Sequence, residues 1–587
     1  MKKTSTAMHV TRVKSRVKDR AGQERVYESV LLRRSYREDG KVKHATLANL
    51  SALPDTAIED LRASLAGKTL LVAGEGLVQE RSLQHGHVAA VWAQAVQLGL
   101  PAMLGPASTH RDIVLALIIA RVCQPVSKLA TCLWWQDTTL ALDLGVGTAS
   151  TDDVYAAMDW LAGRQENIEG KLARKHLGPG VNPNRLALFD LSSSWVTGTQ
   201  CELAARGYSR DGKMGLPQIE YGLLTDPEGR PIAVRVVPGN TADPTAFEQI
   251  AIEMKTTFGV DDMVMVGDRG MITSARIKQL RELGGLGWVT ALRSTSIAGL
   301  IADGSVQQSL FDEANLAEIE HPDYPGERLI ACRNPALADK RAHKRRELLA
   351  ATEADLTVIK AAVTAGRLTD AGLIGVRVGK VLGRHNMAKH FVLTITDGQF
   401  TFTRDQVNIT KETALDGIYI IRTSVPETAM DAATVVSTYK SLANVERDFR
   451  SLKSIDLDLR PIYHWTETRV RAHVFLCMLA AHLVWHLRKA WAPLTFTDEN
   501  RPDPIDPVAP AKRSAAAGQK ASTQTTSTGQ PACSFSSLLN HLATLTRNDV
   551  RYGAAPHTPT IPTLATPTAI QHRAFELIGC PIPIGLK

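Results

Sequence analysis

Three side chains that can act together on a phosphate stand seven residues apart: the phenol of Tyr439, the carboxylate of Glu446 and the ammonium group of Lys453. Positions seven apart on a helix drift by only about 20° per step, so these side chains are expected to share one face. Such a stripe is poorly suited to a core. It is suited to holding a metal ion and gripping a phosphate, provided that further carboxylates complete the site.

Two aspartates are positioned to complete it. Asp190 follows the apolar run Leu186–Phe189, and Asp268 follows the apolar run Met263–Val266. We predict that both runs are buried strands ending at these aspartates, and carboxylates at the ends of neighbouring strands converge on one edge of a sheet. With Glu446 they give three oxygen ligands, which Mg²⁺ or Mn²⁺ prefers. Two such ions about 4 Å apart activate a water or a 3′-hydroxyl and stabilise the leaving oxygen of a phosphodiester.

The elements that must position these residues begin at Arg185, where the spacing of apolar residues changes from that of helices to that of strands. Three strands are predicted to form an antiparallel meander, followed by helix, strand, helix and strand. The predicted elements are Leu186–Phe189, Gln218–Thr225, Pro231–Val237, Thr245–Phe258, Met263–Val266, Thr273–Leu283 and Gly287–Leu292. This order predicts an α+β core, in which a mixed sheet is flanked by helices. Three other aspartates near element boundaries are interpreted as cap or turn residues: Asp153, Asp243 and Asp262.

The core is predicted to be interrupted before the helix that carries Glu446. Residues 294–415 contain a charged helix, 338–365, and strands near 391–396 and 400–403. This is too much structure for a loop, so an inserted subdomain is the better interpretation. The core resumes over residues 416–492 with the strand Ile418–Arg422 and the helix Met430–Lys453.

The two ends of the chain differ from the core in composition. Residues 1–75 are predicted to form short strands and the helix Asp55–Leu65, and the first 50 residues carry thirteen Lys or Arg against five Asp or Glu. Such a segment is either a partly disordered leader or a basic DNA-binding domain. Residues 76–180 are predicted to be helical, either as a DNA-binding module or as a scaffold. Residues 493–533 have the composition of a disordered linker, and 534–587 are predicted to be a helical tail.

The composition limits the class of protein. A chain of 587 residues is long enough for two to four domains, and an apolar content of 44% is ordinary for a protein with buried cores. The apolar runs Ile113–Cys123 and Val474–Leu487 are too short to cross a membrane and are expected to be buried helices. No apolar stretch of a secretory signal is present near the start, so a cytoplasmic location is expected, with action at the nucleoid. Seven scattered cysteines without a CxxC pair argue against a disulfide framework and against a zinc site.

The residues around the three carboxylates resemble those of a known family. Phe189-Asp190-Leu191, Val266-Gly267-Asp268-Arg269-Gly270 and the loop Pro238–Asp243 are similar to blocks of DDE transposases, in particular those of the IS4 superfamily and its IS1634-type members. Those proteins carry a Tyr-x2-Arg-x3-Glu-x6-Lys signature on a helix that follows a β-rich insertion. Here the signature positions are occupied by Tyr439, Leu442, Glu446 and Lys453.

The resemblance implies a function. It implies an RNase H-like catalytic core in which Asp190, Asp268 and Glu446 hold two Mg²⁺ or Mn²⁺ ions. It further implies cut-and-paste transposition, with recognition of terminal inverted repeats, transfer to target DNA, and two ends held by a homodimer. The residues expected to bind DNA are Tyr439, Lys453, Arg450, Arg460 and Arg469. The tryptophans Trp288 and Trp465 are expected to be core or interface residues rather than base-stacking wedges.

One signature position departs from the family. Leu442 stands where the family usually has an arginine, and leucine cannot form a bidentate clamp on a phosphate. Two alternatives therefore stay open beside the transposase. One is a metal-dependent DNA nuclease without strand transfer, and the other is a transposase-derived DNA-binding protein without catalysis.

Overall fold

The structure of the chain is a computed structural model that describes residues 8–18, 23–38, 40–68, 70, 77–178, 180–182, 185–241, 243–258, 263–502, 504–552 and 559–586. Within this description the chain divides into two compact units. The first unit combines Met1–Ser82 with Arg547–Thr563, and the second combines Leu83–Thr546 with Leu564–Lys587.

The first unit is built on a three-stranded antiparallel sheet of β1 (Met8–Lys18), β2 (Glu24–Glu38) and β3 (Lys41–Asn49), followed by helix α1 (Asp55–Leu65). A small core of Val10, Val30, Leu50 and Ile58 lies beneath α1. The helix α1 has the predicted bounds. The described part of this basic segment is therefore folded, and the disordered-leader interpretation is wrong for it.

A second sheet of the first unit joins distant parts of the chain. Strand β4 (Leu77–Gln84) pairs with a strand near the C-terminus, and Arg551 forms an ion pair with Glu80 at 2.7 Å. The expectation of purely helical structure over 76–180 and 534–587 is therefore wrong at these positions. Strand β4 is mostly exposed and therefore lacks the regular alternation of apolar and polar residues that marks a half-buried strand, so the sequence pattern did not reveal it.

The second unit begins with helices that surround one long central helix. The seven N-terminal helices are α2 (Gly86–Gln97), α3 (Leu100–Leu104), α4 (Thr109–Cys123), α5 (Lys128–Trp134), α6 (Thr139–Leu144), α7 (Thr151–Ala162) and α8 (Gln165–Leu177). Every residue of α4 from Ile113 to Cys123 is buried, which favours a scaffold over a DNA-reading helix. Asp153 closes a capping box with Ser150 at the start of α7, as a cap residue should.

The sheet of the second unit has eight strands, and its first part has the predicted order. Its elements are β5 (Leu186–Trp195), β6 (Gln218–Thr225), β7 (Pro231–Pro238), α9 (Asp243–Thr256), β8 (Met263–Val266), α10 (Ser274–Leu283) and β9 (Leu286–Ala291). Strands β5, β6 and β7 form the antiparallel meander, whereas β8 and β9 run parallel to β5. Asp243 starts α9, and Asp262 lies outside the described residues.

The region 294–415 contributes both to this sheet and to a core of its own. Its elements are α11 (Ser294–Ala302), β10 (Leu316–Ile319), β11 (Arg328–Arg333), α12 (Pro335–Thr364), α13 (Ala371–His385), β12 (Phe391–Thr396), β13 (Gln399–Arg404) and α14 (Gln406–Thr413). Helices α12 and α13 and the hairpin of β12 and β13 share a separate apolar cluster. Strands β10 and β11 instead extend the main sheet through β14 (Ile418–Thr423), giving the order β10-β11-β14-β9-β8-β5-β6-β7.

The helix predicted over Met430–Lys453 is broken into three pieces: α15 (Ala432–Lys440), α16 (Leu442–Arg450) and a π-helical turn, Ser451–Ile455. The break lies at Ser441, whose hydroxyl donates to the carbonyl of Thr438 at 2.6 Å. A serine that bonds its own backbone competes with the helical hydrogen bonds, which explains the interruption. The three signature side chains therefore do not lie on one uninterrupted helix face.

The long helix α17 (Glu467–Ala490) lies at the centre of the second unit. It is long and apolar enough to span a membrane by length and composition, but 83% of its most apolar window is buried inside the protein. The two apolar runs of the sequence are therefore buried helices, as predicted. The remaining elements are α18 (Ala515–Thr523), α19 (Phe535–Ala543), β15 (Thr546–Tyr552), β16 (Thr560–Leu564) and α20 (Ala569–Leu577). Strand β15 pairs with β4 and β16 in the second sheet of the first unit.

The segment 493–533 is ordered in its described residues, so the linker prediction is wrong. Val508 is fully buried, and Lys520 of α18 places its ammonium group among the carbonyls of Ala492 and Thr495 and the carboxylate of Glu499 at 2.7–3.0 Å. A low-complexity composition predicted disorder, but these buried polar bonds hold the segment against α17 and the following turn.

Candidate active site

Asp190 lies inside a strand rather than at its end. Strand β5 pairs with β8 only over Leu186–Leu188, because β8 has four residues and stops at Val266. The partner β6 has eight residues and continues pairing to Trp195. Asp190 thus stands where the parallel pairing has just stopped, half-buried at an opening in the sheet.

The ring of Phe189 packs against the neighbouring strand β6 and so fixes the position of β5 next to Asp190. It packs over Gly222 of β6, where an added Cβ would lie 2.3 Å from the ring carbon Cζ. Only glycine leaves room for the ring at this position, and Asp190 is the next residue along the strand.

The carboxyl of Asp190 lies in an unusual electrostatic environment. Its pKa is raised to about 7, mainly by burial and in smaller part by the charges of Asp268 and Glu446. The backbone N–H of Leu191, which donates to Oδ1 at 2.8 Å, and the cation of Arg210 lower it. Two carboxylates from different elements thus lie within electrostatic reach of Asp190.

Asp268 follows β8 and is held by its own turn. Its Oδ1 accepts the backbone N–H groups of Gly270 at 2.8 Å and Met271 at 2.9 Å. From the residues that the structure describes, Oδ2 accepts no hydrogen bond. The side chain is exposed and oriented, with one oxygen free to bind a cation.

Glu446 and Tyr439 approach the two aspartates from the broken helix. Glu446 is exposed on α16, and its charge reaches both Asp190 and Tyr439. Burial raises the pKa of the Tyr439 phenol to about 12, and the charges of Asp268, Asp190 and Glu446 also raise it, while Arg269 lowers it. The phenol therefore stays protonated near neutral pH and can donate a hydrogen bond.

The donor set fits a hard divalent cation. Three carboxylates repel one another in a partly buried place, and a cation between them removes that repulsion. Burial, and to a smaller extent the charges of Asp268 and Glu446, raise the pKa of the Asp190 carboxyl. The sequence predicted all three residues, and the structure brings them together.

Lys453 is brought close to the site but is already paired. Its ammonium group donates to the buried carboxylate of Asp211 at 2.7 Å, and Arg460 contacts the same carboxylate. The cation of Arg210 reaches both Lys453 and Asp190, which connects this ion cluster to the three carboxylates.

The other two predicted DNA-binding residues have different surroundings. Arg450 stands one helical turn after Glu446 on α16 and lines a cavity of about 1160 Å³, together with Arg447, Arg488 and Arg501. Arg469 stacks on Tyr155 and pairs with Asp159 of α7 at 3.5 Å. Neither is among the charges that act on Asp190.

Sequence reasoning missed two cations and one carboxylate near the site. Arg210 and Asp211 lie in the long connection between β5 and β6, which has no periodicity that would mark them. Arg269 follows Asp268 directly, so its position next to a predicted metal ligand was the available signal.

Leu442 and the two tryptophans have clear environments. Leu442 begins α16 and packs partly buried on the main core, so it takes no part in binding a phosphate. Trp288 is 3% exposed, as expected for a core residue. Trp465 is 67% exposed, so it is not a core residue, and the interface part of the expectation stays a prediction for it.

Comparison with known proteins identifies the family of the chain. Residues 185–483, just over half of the chain, match the family described as the transposase DDE domain, and the chain therefore belongs to the DDE transposases. Residues 14–74 match the N-terminal domain of IS1634 family transposases, which places it among the IS1634-type members.

Two further comparisons add little. No curated protein matches the chain. A cryo-EM structure of a piggyBac transposase synaptic complex with hairpin DNA is 9% identical, covers 78% of this chain and 76% of that chain, and has a TM-score of 0.30. A likeness at that level supports no inference about this chain.

Proposed function

We propose that this transposase cuts DNA at the ends of its insertion sequence and joins the freed 3′-hydroxyl to target DNA. Asp190, Asp268 and Glu446 are the proposed catalytic residues. The observation that carries the proposal is the convergence of these carboxylates from β5, the turn after β8, and α16, with the pKa of Asp190 raised by burial and by both neighbours.

The proposed catalytic core is RNase H-like, with 294–415 as an insertion. The order of three antiparallel strands followed by two parallel strands, with helices α9 and α10 between them, supports this proposal. The separate apolar cluster of α12, α13, β12 and β13 supports the insertion. The two strands β10 and β11 are the part of the insertion that would be continuous with the core sheet.

Mg²⁺ or Mn²⁺ ions, two in each site, are the proposed cofactors. When bound, they would supply Lewis-acid activation of the attacking hydroxyl and of the leaving oxygen. The carboxylates of Asp190, Asp268 and Glu446 would hold them, and the backbone N–H groups of Gly270 and Met271 keep the Asp268 side chain oriented. The protonated phenol of Tyr439 is placed to donate to a non-bridging phosphate oxygen.

Arginines near the site are proposed to replace the family arginine that Leu442 lacks. Arg269 is exposed and acts on Tyr439, and Arg210 acts on Asp190. A guanidinium group at either position can grip a phosphate in bidentate fashion. Lys453 and Arg460 would add positive charge behind them, held in place by Asp211.

The proposed partners are the terminal inverted repeats and target DNA, with two ends held in a homodimer. The exposed basic residues of the first unit, including Lys14, Lys18 and Arg37, are the proposed phosphate-binding surface of its N-terminal domain. Arg450, one helical turn after Glu446 on α16, and Arg469, which pairs with Asp159, remain predicted DNA-binding residues.

The deciding experiment incubates the purified chain with Mg²⁺ or Mn²⁺ and DNA carrying its own element ends. Asp190→Asn, Asp268→Asn and Glu446→Gln should each lower cleavage and joining on the order of 10³-fold or more, because each removes a metal-binding charge while leaving the fold intact. Binding of the ends should be retained. Glu427→Gln removes an exposed carboxylate ahead of α15 and serves as the matched control.

The products discriminate between the open alternatives. Cleavage without joining would identify a nuclease. End binding without any metal-dependent chemistry would identify a DNA-binding derivative, and Leu442 is the residue that makes this outcome worth testing.

A further inference from the structure

A compact group of three histidines lies apart from the carboxylates. His482 and His486 stand four residues apart on α17, so their side chains are one turn apart on the same face. His176, near the end of α8, meets them there. One nitrogen atom from each imidazole lies within 4.8 Å of the others.

This spacing is close to what a metal ion requires. Zinc–nitrogen bonds of about 2.0–2.1 Å place the nitrogens of a tetrahedral site roughly 3.3 Å apart. Small side-chain rotations therefore bring the three nitrogens to bonding distance, because all three rings are already neighbours with centroids 5.0–6.3 Å apart.

The tautomer of His482 is fixed in the form that binds metals. Its Nδ1 donates to the carbonyl oxygen of Pro231 at 2.9 Å, so Nε2 carries a lone pair. Histidine ligands commonly make this outer hydrogen bond to a backbone carbonyl, which orients the ring toward the ion.

Two of the nitrogens are buried without a partner. Among the residues that the structure describes, Nε2 of His176 and Nε2 of His486 are shielded from solvent and make no hydrogen bond. The His176 side chain as a whole is only 5% exposed. Unpaired polar atoms in such a place are costly, and a bound ligand would satisfy them.

Arg230 is the competing cation. Its guanidinium contacts Nδ1 of His176, and in that arrangement the proton of His176 sits on Nε2. Arg230 has other partners within reach, the carboxylates of Asp226 at 3.3 Å and Glu228 at 3.7 Å. A divalent ion would displace the guanidinium toward these acids and move the His176 proton to Nδ1.

We propose that His176, His482 and His486 bind a zinc ion that fastens α8 to α17, with a water molecule in the fourth position. Three imidazoles select zinc and similar transition metals, whereas the carboxylate site selects Mg²⁺ or Mn²⁺. The absence of a CxxC pair predicts that no zinc site is present, but that prediction considers only cysteine ligands, whereas the ligands proposed here are histidines. The sequence pattern missed the site because His176 lies far from the HxxxH pair of α17 along the chain.

The test measures metal binding in the full chain carrying Asp190→Asn, Asp268→Asn and Glu446→Gln, which removes the proposed catalytic metal site. We expect one Zn²⁺ per chain by calorimetry, no displacement by excess Mg²⁺, and a visible absorption spectrum of tetrahedral nitrogen-bound Co²⁺ after substitution. The same zinc should raise the melting temperature, because an ion that binds only the folded chain stabilises it.

Added histidine variants locate the site. His486→Gln, at a partly exposed position without a hydrogen-bond partner among the described residues, should weaken zinc binding more than about 100-fold. His464→Gln changes another partly buried histidine that packs on a neighbouring histidine ring, and it should leave zinc affinity unchanged. Arg230→Gln removes the competing cation and should tighten binding.

Three outcomes would overturn the proposal. The first is that the chain with the three carboxylate substitutions takes up no zinc, and the second is that zinc binds to His486→Gln as tightly as to the chain with His486. The third is that His464→Gln weakens zinc binding as much as His486→Gln does. None of these readouts depends on DNA cleavage, so failure of the proposed catalytic function would leave the result unaffected.

Discussion

At the scale of single residues, the two aspartates of the site differ in what holds them. Asp190 is half-buried beside Phe189 and carries the strongly raised pKa, whereas Asp268 is exposed and fixed by two backbone N–H groups. The residue types and their order along the chain marked both as candidate metal ligands, and this stays a prediction. Their different environments were not predictable, because burial depends on where β8 stops and on which loop covers β5.

Tyr439→Phe tests the phenol next to the carboxylates. Removing one hydrogen bond to a charged phosphate costs about 1.5–3 kcal/mol, which corresponds to a loss of about 10- to 100-fold in the cleavage rate. The aromatic ring still fills its half-buried place, so the melting temperature should be nearly unchanged. Single-turnover cleavage of a labelled element end provides the measurement, and an unchanged rate would remove Tyr439 from the site.

Asp211→Asn tests the ion cluster behind the site. The Asp211 carboxylate is 2% exposed and neutralises both Lys453 and Arg460, so its loss leaves two cations facing a neutral amide. We expect the free energy of unfolding to fall by about 3 kcal/mol in urea titrations. Asp159→Asn breaks the exposed pair with Arg469 and should cost less than about 1 kcal/mol. Equal effects of the two substitutions would show that burial of the cluster is not what stabilises it.

At the scale of elements, strand and helix positions of the core were largely predictable. Strands β6, β8 and β12 begin and end at the residues predicted from the sequence. Each predicted strand is one continuous stretch of strand-like residues that is bounded by turn residues. The continuation of β5 through Ser192–Ser194 was missed because polar residues there look like a turn. They stay in the strand because β6 supplies hydrogen bonds along its whole length.

Gly222→Ala tests the contact between β5 and β6. The new methyl group would overlap the ring of Phe189 and shift the strand that carries Asp190. We expect a loss of about 1–3 kcal/mol in unfolding free energy, together with slower cleavage. Gly383→Ala on α13 is the matched control, because no atom lies within 4 Å of the position its methyl group would take, and alanine there should stabilise the helix by about 0.5–1 kcal/mol. A neutral Gly222→Ala would mean that Phe189 has room to move.

At the scale of the whole molecule, the basic residues concentrate in the first unit. The excess of eight positive charges in residues 1–50 equals the net charge of the chain. The sequence predicted this charge and short strands in the same segment, but not the pairing of those strands in a three-stranded sheet. The strand order of the second sheet of this unit could not be predicted either, because β4 pairs with β15, which lies almost five hundred residues away along the chain.

Replacing Lys14, Lys18 and Arg37 with glutamine tests whether this unit binds phosphates. The logarithm of the DNA-binding constant falls as the logarithm of the salt concentration rises, and this slope becomes less steep by about 0.9 for each phosphate that is no longer neutralised. The slope of the triple variant should therefore be less steep by up to about 2.7. Replacing Lys340, Lys344 and Lys360 on α12 with glutamine removes the same charge elsewhere and should change the slope less. Equal changes in the two variants would mean that total charge, rather than the first unit, determines DNA binding.

The second unit should lose stability in mild acid because several of its histidines are buried next to cations. The pKa of His464 is lowered to about 3, mainly by burial and in smaller part by the cations of Lys128, Arg121 and Arg469. The unfolded chain takes up a proton on this residue as the pH falls below about 6.5, whereas the folded chain does not until far lower pH. The contribution to stability is therefore present above about pH 6.5 and is lost as the pH falls, by about 1.4 kcal/mol at about pH 5.5.

Comparing the wild-type chain with His464→Gln isolates this residue from every other titrating group. Between about pH 7.5 and about pH 5.5 the wild type should lose about 1.4 kcal/mol more unfolding free energy than the variant. Tyr155 and His473, which contact the ring, stay in place and carry no negative charge that would hold a proton on it. Urea titrations at the two pH values give the difference directly. Parallel losses in the two proteins would show that the His464 ring takes up its proton in the folded chain as readily as in the unfolded one.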